Sequence, residues 1–251
     1  MPSLAINSIA ACALSVWASA TFGMQNACAA HSGPRITPVV ELYTSEGCSS
    51  CPPADQWVSA LKGQDLVVQA FHVGCWDHIG WVDRFATPAH TARQREVATK
   101  NRLRNIYTPQ LVRDGRDWPQ WAGDADRLSL SRQNARADIA IERLADDQFE
   151  ARVTLVAPGG SWSAYWTVTE HGHQSRVQAG ENAGEFLKHD FVVRQYTPAG
   201  DYRSSAATPT VLRFRSIAGT PGHPRQINLV VADTQTGQTL QAISLQCQQA
   251  L

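Results

Sequence analysis

Cys48 and Cys51 stand three residues apart in the stretch EGCSSCPPAD, residues 46–55. Three kinds of chemistry are open to such a pair. A dithiol exchanges electrons with a disulfide: a thiolate attacks sulfur, and a second thiol three residues on is close enough to displace the mixed disulfide. Two thiolates also clip a soft metal ion, and outside the cytoplasm the pair can be a fixed structural disulfide. The two prolines that follow bear on reactivity. A residue before proline is steered away from the α region, and both Cys51 and Pro52 precede one. A regular helix is therefore expected to begin at Pro52 or Pro53, where a missing N–H is tolerated. The prolines remove two donors that would otherwise face Cys48, and Glu46 adds a nearby negative charge. The Cys48 thiol should be activated only modestly. The couple should then be more reducing than the strongest thiol oxidants, which lie near roughly −120 mV; titration against glutathione checks this.

The elements around the pair have the order strand, helix, strand. PVVELYT (residues 38–44) is a continuous apolar strand, ADQWVSALKG (54–63) a helix with Trp57, Val58 and Leu61 on one face, and DLVVQAFHV (65–73) a second buried strand. PAHTARQREVATKNRL (88–103) reads as a charged amphipathic helix, PQLVRDGR (109–116) as a strand ending in an Asp-Gly turn, and GDADRLSLSRQNA (123–135) as a last helix. This order implies a mostly parallel sheet covered by helices. A Cys-x-x-Cys after a buried strand and before a helix is the thioredoxin-type arrangement, in which the helix N-terminus favours a thiolate. That fold places a cis-proline beside the dithiol, and Thr108-Pro109, opening the strand after IYT, fits the position. Glu41, on the strand that leads into the pair, is the candidate general base for the second cysteine; a raised pKa would suit it to that work. Its other reading is a strand glutamate with its head in solvent or on an arginine.

Leu4 to Phe22 carries no charge and reads as the apolar core of an export leader, although no Lys or Arg precedes Arg35. Small-residue exits follow at Ala18-Ser19-Ala20 and Cys28-Ala29-Ala30, and the leader is assigned to residues 1–30. An uncleaved signal anchor is the alternative, and the only membrane contact expected. No other apolar run approaches the roughly 18 residues of a membrane span. Removing Cys12 and Cys28 with the leader would leave four of the six cysteines, Cys48, Cys51, Cys75 and Cys247. Four cysteines permit three pairings; Cys75 with Cys247 would tie the C-terminal strand to the first domain and leave Cys48–Cys51 as the redox pair, and free thiols at both positions are the alternative.

The segment FHVGCWDHIGWVD (71–83) gathers His72, Cys75, Asp77 and His78. With Cys48 and Cys51 these could clip copper or zinc, but the spacing matches no standard ligand rule, and His72 sits inside a buried strand where a core histidine with one hydrogen bond is commoner. No metal or other cofactor is assigned. HGH (171–173) closes a strand and reads as a turn. Trp76, Trp81, Trp118 and Trp121 either line an apolar groove or pack a core.

From about residue 136 the pattern is all strand. ADIAIERL, FEARVTLV, WSAYWTVTEHG, HDFVVRQY, TVLRFRS, QINLVVAD and TLQAISL alternate apolar and polar residues between turn signals, as in a β-sandwich. The chain has 251 residues, zero net charge, 18% charged and 43% hydrophobic residues. It can bury a sizeable core and has no nucleic-acid footprint. No hydrolase elbow, phosphate loop, dinucleotide fingerprint or zinc-protease motif occurs.

The stretches VVELYTSEGCSSCPPAD, FHV..WD..GW.D.FA, ARQR and YTPQ.V.DG, with GENAG and HDFVV in the second half, resemble a bacterial secreted thioredoxin-like family known as domain of unknown function 1223. The resemblance runs from about residue 38 to residue 195. It implies a thioredoxin-like fold followed by a β-rich domain, carries over Cys48, Cys51 and Pro109 as redox and cis-proline positions, and implies no particular substrate. The expectation is an α/β thioredoxin-like domain at 36–135 followed by an all-β sandwich-like domain at 136–251. It would be periplasmic or secreted and exchange disulfides with protein thiols or a small thiol through Cys48, Cys51, Thr108, Pro109 and Glu41. A non-catalytic binding protein with a structural Cys-x-x-Cys disulfide or a metal clip is the alternative.

Overall fold

The computed structural model describes residues 28–123, 133–157, 160–203 and 208–247. The leader core at 4–22 and most of the helix expected at 123–135 lie outside the described residues.

Six short elements build the first half. They are β2 (Val39–Thr44), α1 (Pro52–Ser59), β3 (Val67–His72), α2 (Pro88–Lys100), β4 (Gln110–Arg113) and β5 (Arg116–Asp117). A preceding strand, β1 (Ala29–His31), belongs elsewhere in the fold. β2 and β3 run parallel, with Val39 beside Val67 and Thr44 beside His72. β4 pairs antiparallel with β2, and the Asp114-Gly115 turn returns the chain into β5. Both β2 and β3 are buried along their whole length, which explains their largely apolar sequences, and the polar Glu41, Gln69 and His72 are buried with them. Val40 and Leu42 face α1 through Ala54, Val58 and Leu61, while Tyr43, on the opposite face, meets Phe71, Val73 and Val97 of α2. A helix on each face of this sheet, with the Thr108–Pro109 peptide bond cis at the start of β4, is the thioredoxin-like arrangement.

The second half is β-rich. It comprises β6 (Ala137–Ala145), β7 (Gln148–Leu155), β8 (Ser161–Glu170), β9 (His173–Arg176), β10 (Phe186–His189), β11 (Val192–Arg203), β12 (Thr210–Arg215), β13 (Arg225–Asp233) and β14 (Thr239–Leu245). One four-stranded sheet has the order β1-β6-β7-β12, and β9 with β10 forms a separate hairpin. The remaining strands join the first half in one eight-stranded sheet, β14-β13-β8-β11-β3-β2-β4-β5. The seam between the halves is β11 against β3, where Val192 pairs with Ala70 in parallel and the Ala70 amide donates to the Phe191 carbonyl at 2.8 Å. The four-stranded sheet lies on the β14-β13-β8 end as a sandwich. Ile139, Ile141, Phe149 and Val153 from one layer pack on Trp166, Val168, Leu229 and Ile243 from the other. No helix among the described residues is long and apolar enough to cross a membrane.

The cysteine pairing differs from the expected one. Cys247 is joined to Cys28, across a sequence separation of 219, and Cys75 is an exposed free thiol. Cys28 immediately precedes β1, which lies antiparallel on the edge of β6 with Ala30 opposite Ile141. Cys75 sits instead in a 3₁₀ turn, Gly74–Ile79, that follows β3.

Candidate functional site

The dithiol loop leaves the C-terminal end of β2. Cys48 and Cys51 are joined as a disulfide, with the Cys48 amide donating to Ser45 O at 3.1 Å and the Cys51 amide to Cys48 O at 3.2 Å. α1 begins at Pro52, as the two prolines require, with Cys51 as its cap residue. Cys51 nonetheless adopts α-region angles (φ −78°, ψ −37°), against the usual effect of a following proline. Its carbonyl accepts from the amides of both Ala54 and Asp55, at 2.9 and 3.1 Å, which offsets that cost. Pro52 and Pro53 have no N–H, and those of Ala54 and Asp55 are used within the helix. The first turn therefore has little to offer a thiolate at Cys48.

The β2–β4 register sets Tyr43 against Gln110, so cis Pro109 lies at the end of β2 from which the dithiol loop springs. Trp76 fastens the two together. Its indole N–H donates to Thr108 Oγ1 at 2.8 Å, and a Cβ on Gly47, the residue before Cys48, would stand 2.9 Å from the Trp76 Cβ. Glycine is required there by close approach. On α2, Gln94 holds the approach to Pro109 through the carbonyl of Tyr107 (2.8 Å) and the side chain of Gln110 (3.0 Å). Thr108 is thus a tether for the cis-proline loop.

A second-half loop, 180–184, is tied to the dithiol loop. Asn182 Nδ2 donates to the carbonyls of both Glu46 and Cys48 at 2.9 Å, and Glu181 Oε2 accepts from the amide and hydroxyl of Ser49 at 3.0 and 2.7 Å. Each cysteine is only 1% exposed. Asn182 and Glu181 are contacts of the dithiol loop that reasoning on the cysteines alone passes over; their signal was GENAG, visible only as a family stretch. Asn182→Ala should speed reduction of the Cys48–Cys51 disulfide by dithiothreitol on the order of tenfold, because two buried hydrogen bonds that hold the loop shut are lost. Stopped-flow fluorescence of the reduction checks this. Glu181→Ala should change the rate little, since its bonds to Ser49 compete with water.

Beneath the loop lies a cluster of buried polar side chains. His72 Nδ1 is 2.6 Å from Asp83 Oδ2, which also accepts the Glu46 amide at 2.9 Å. The Trp81 indole N–H donates to Glu46 Oε2 at 2.7 Å, and Thr44 Oγ1 donates to Asp55 Oδ2 at 2.9 Å. His189 stands between two acids, its Nε2 3.4 Å from Glu46 Oε1 and its Nδ1 3.8 Å from Asp55 Oδ1. Burial alone would lower the His189 imidazolium, but those two carboxylates outweigh it and push the pKa up to about 9. Trp76, Trp81 and Asp83 all come from the WD..GW.D stretch, so that segment builds the floor of the site.

The structure separates the other sequence candidates. Cys75 and His78 are exposed while Cys48, Cys51 and His72 are buried, and the two cysteines are bonded to each other, so the thiolate clip is not assembled. Burial pushes the Cys75 thiol above its ordinary value, and Asp77 adds to this. His171 and His173 flank Gly172 in the expected turn, its φ +76°. Trp118 packs on the apolar face of α1, edge-on to Trp57, and also lines a cavity with Arg113, Arg116 and Arg136.

Glu41 requires a correction. It is 2% exposed, on the α2 face of the sheet, with Arg93 Nη2 2.7 Å from its Oε1. The hydroxyls of Tyr43 and Tyr165 donate to it at 2.6 and 2.5 Å. Burial would raise its carboxyl, but Arg93 first and the tyrosine hydroxyls next hold it below the ordinary value. A base for the second cysteine needs the opposite shift.

This arrangement is similar to that in two solved structures. A crystal structure of a protein from Agrobacterium tumefaciens superposes with a TM-score of 0.66 at 22% identity, covering 88% of this chain and 98% of that one. HBP35 of Porphyromonas gingivalis gives a TM-score of 0.54 at 11% identity, covering 85% of this chain and 76% of that one. At these identities the likeness is one of fold. No curated protein matches the chain. The family whose pattern it does match, over residues 39–231 and so over most of its length, is the one described as protein of unknown function (DUF1223), and the chain belongs to that family.

Proposed function

We propose that this chain is an exported thiol–disulfide oxidoreductase working in the reducing or isomerising direction. The observation that carries the reading is the Cys48–Cys51 disulfide at the start of α1, with cis Pro109 at the adjoining end of β4. In the reduced protein the Cys48 thiolate attacks one sulfur of a substrate disulfide. A mixed disulfide forms, and the other substrate sulfur leaves as a thiolate. Cys51 then attacks Cys48 Sγ, and the second substrate sulfur leaves. The substrate gains two electrons and two protons, the chain ends as the Cys48–Cys51 disulfide, and a protein dithiol or small thiol must reduce it again. Pro109 presents backbone to the substrate strand. The partners are protein thiols or disulfides, or a small thiol. The uncharged apolar leader and the Cys28–Cys247 disulfide support a periplasmic or secreted location.

One observation favours the alternative of a binding protein with a fixed disulfide: each cysteine is only 1% exposed, so a partner thiol reaches neither sulfur without movement of the surrounding chain. A Cys51→Ser variant separates the two readings. An oxidoreductase accumulates mixed disulfides through Cys48 in the periplasm, resolved by non-reducing gels and mass spectrometry. If nothing is trapped and the wild-type pair resists dithiothreitol, the redox reading fails.

A further inference from the structure

Below the dithiol, three segments distant in sequence each bring a metal-ligating side chain to one buried point: Asp55 from α1, His72 from the end of β3, and His189 from the end of β10. Their exposures are 6%, 0% and 2%. One donor atom from each lies within 4.8 Å of the others. We propose that Asp55, His72 and His189 hold a divalent first-row transition-metal cation, with zinc the representative occupant.

The orphaned atoms point there. His72 gives its Nδ1 to Asp83, and its Nε2 has no hydrogen-bond partner although fully buried. Neither ring nitrogen of His189 has a hydrogen bond, but its Nε2 faces Glu46 Oε1 as an ion pair at 3.4 Å, which leaves Nδ1 open. A buried polar atom without a partner costs on the order of 1–3 kcal/mol, and one on each of two facing imidazoles asks for a ligand. Each histidine also has a carboxylate at its far nitrogen, Asp83 at His72 Nδ1 and Glu46 at His189 Nε2. That is the usual way in which a protein fixes the tautomer and raises the basicity of a metal-bound imidazole. The same device leaves His72 Nε2 and His189 Nδ1 as the ligating atoms. Asp55 is oriented in turn: Thr44 occupies its Oδ2, leaving Oδ1 on the His189 side.

Charge points the same way. Glu46, Asp55 and Asp83 are all buried, two histidines face them, and among the described residues no Lys or Arg ion-pairs with any of the three. A proton on His189 neutralises only part of this, whereas a dication on the same nitrogen neutralises more. Two imidazoles with a carboxylate suit a transition metal better than magnesium or calcium, which take oxygen ligands. Donors around a tetrahedral zinc stand ~3.3 Å apart, so closure requires only a modest contraction. Three protein ligands leave a fourth position for water. The cysteine sulfurs play no part, so the proposal is independent of the redox reading. Because the ligands sit on three separate segments, the ion would enter as the chain folds.

The test uses the full mature chain carrying Cys75→Ser, with both disulfides intact so that no free thiol competes. The protein is unfolded in guanidinium with EDTA, refolded with zinc or cobalt(II), and freed of excess metal by gel filtration. The proposal expects about one cation per chain, four- or five-coordinate d–d absorption for cobalt, and a higher Tm for loaded than for metal-free protein. His189→Gln and Asp55→Asn should each lower occupancy at least ~tenfold, with the metal-free fold retained by circular dichroism. His173→Gln, at a buried imidazole that stacks on His223 and bonds to Glu170 rather than to any of the three ligands, should bind as wild type does. The wild-type Tm comparison needs no variant to fold. No retained metal with no Tm change overturns the proposal, and so does undiminished binding by His189→Gln.

Discussion

Replacing Cys28 or Cys247 with serine should destabilise the protein by about 2–5 kcal/mol, toward the upper end because of the loop the bond closes. The separation between the two residues is 219, so in the unfolded chain the crosslink restrains most of the molecule. In the folded chain it clamps β1, an edge strand of the four-stranded sheet, to the end of the chain just beyond β14, which belongs to the eight-stranded sheet. Both cysteines pack against the sandwich core. The double variant should cost no more than either single one, since one bond is lost in every case. Urea unfolding followed by tryptophan fluorescence checks both statements. The same bond bears on the leader. Cleavage after Ala30 would remove Cys28 and two residues of β1, whereas cleavage after Ala20 keeps both. If the chain is exported as proposed above, its mature form is therefore expected to retain Cys28, and with both disulfides formed to show a single free thiol, Cys75. Intact mass and thiol titration of the exported protein read this directly; a mature chain beginning after Ala30 would sink it.

Cys28 shows why part of this fold was hidden in the sequence. Cys28-Ala29-Ala30 has the small residues of a cleavage site, and nothing local distinguishes an exit from an edge strand that finds its partner at β6. Disulfide connectivity likewise depends on tertiary neighbours. What was legible was the local signal: β2 and β3 as largely apolar buried strands, the start of α1 at Pro52, the cis-proline pattern before β4, and the alternating strands after residue 136. The continuity of the eight-stranded sheet was not, because it rests on a parallel contact between Ala70 and Val192, 122 positions apart. The site followed the same rule. Cys48, Cys51 and Pro109 announce themselves by type and spacing. Asn182, His189 and Asp55 come together only when separate segments converge, and the trace they left was that GENAG, HDFVV and the CPPAD end of the cysteine stretch belonged to the family resemblance.

Glu41→Gln should cost about 3–5 kcal/mol, the range for breaking one side of a buried ion pair. Arg93 would keep its charge with a side chain only 12% exposed, and the partner that compensates it would be neutral. More than the pair is at stake. Arg93 stacks its guanidinium 4.5 Å over the ring of Tyr165 on β8, and Tyr165 donates to Glu41 on β2, so the cluster ties the two halves of the chain together on one face of the sheet. Arg93→Met should be costly for the complementary reason, stranding a buried carboxylate. The double variant should cost clearly less than the two single costs added, because no uncompensated charge remains. The pH dependence has a definite sign. Arg93 and the tyrosines hold the folded-state pKa of Glu41 below its unfolded value near 4.5, so the stability it contributes is present above that pH and is lost as the pH falls toward and through the lower folded value. Glu41→Gln should flatten this acid limb. The outcome also decides what Glu41 is for. A general base for Cys51 would, when replaced, slow thiol exchange near neutral pH and leave stability nearly intact. An ionised, arginine-bound strut would lower stability and leave the exchange rate of the folded protein nearly unchanged, and the geometry predicts the second result.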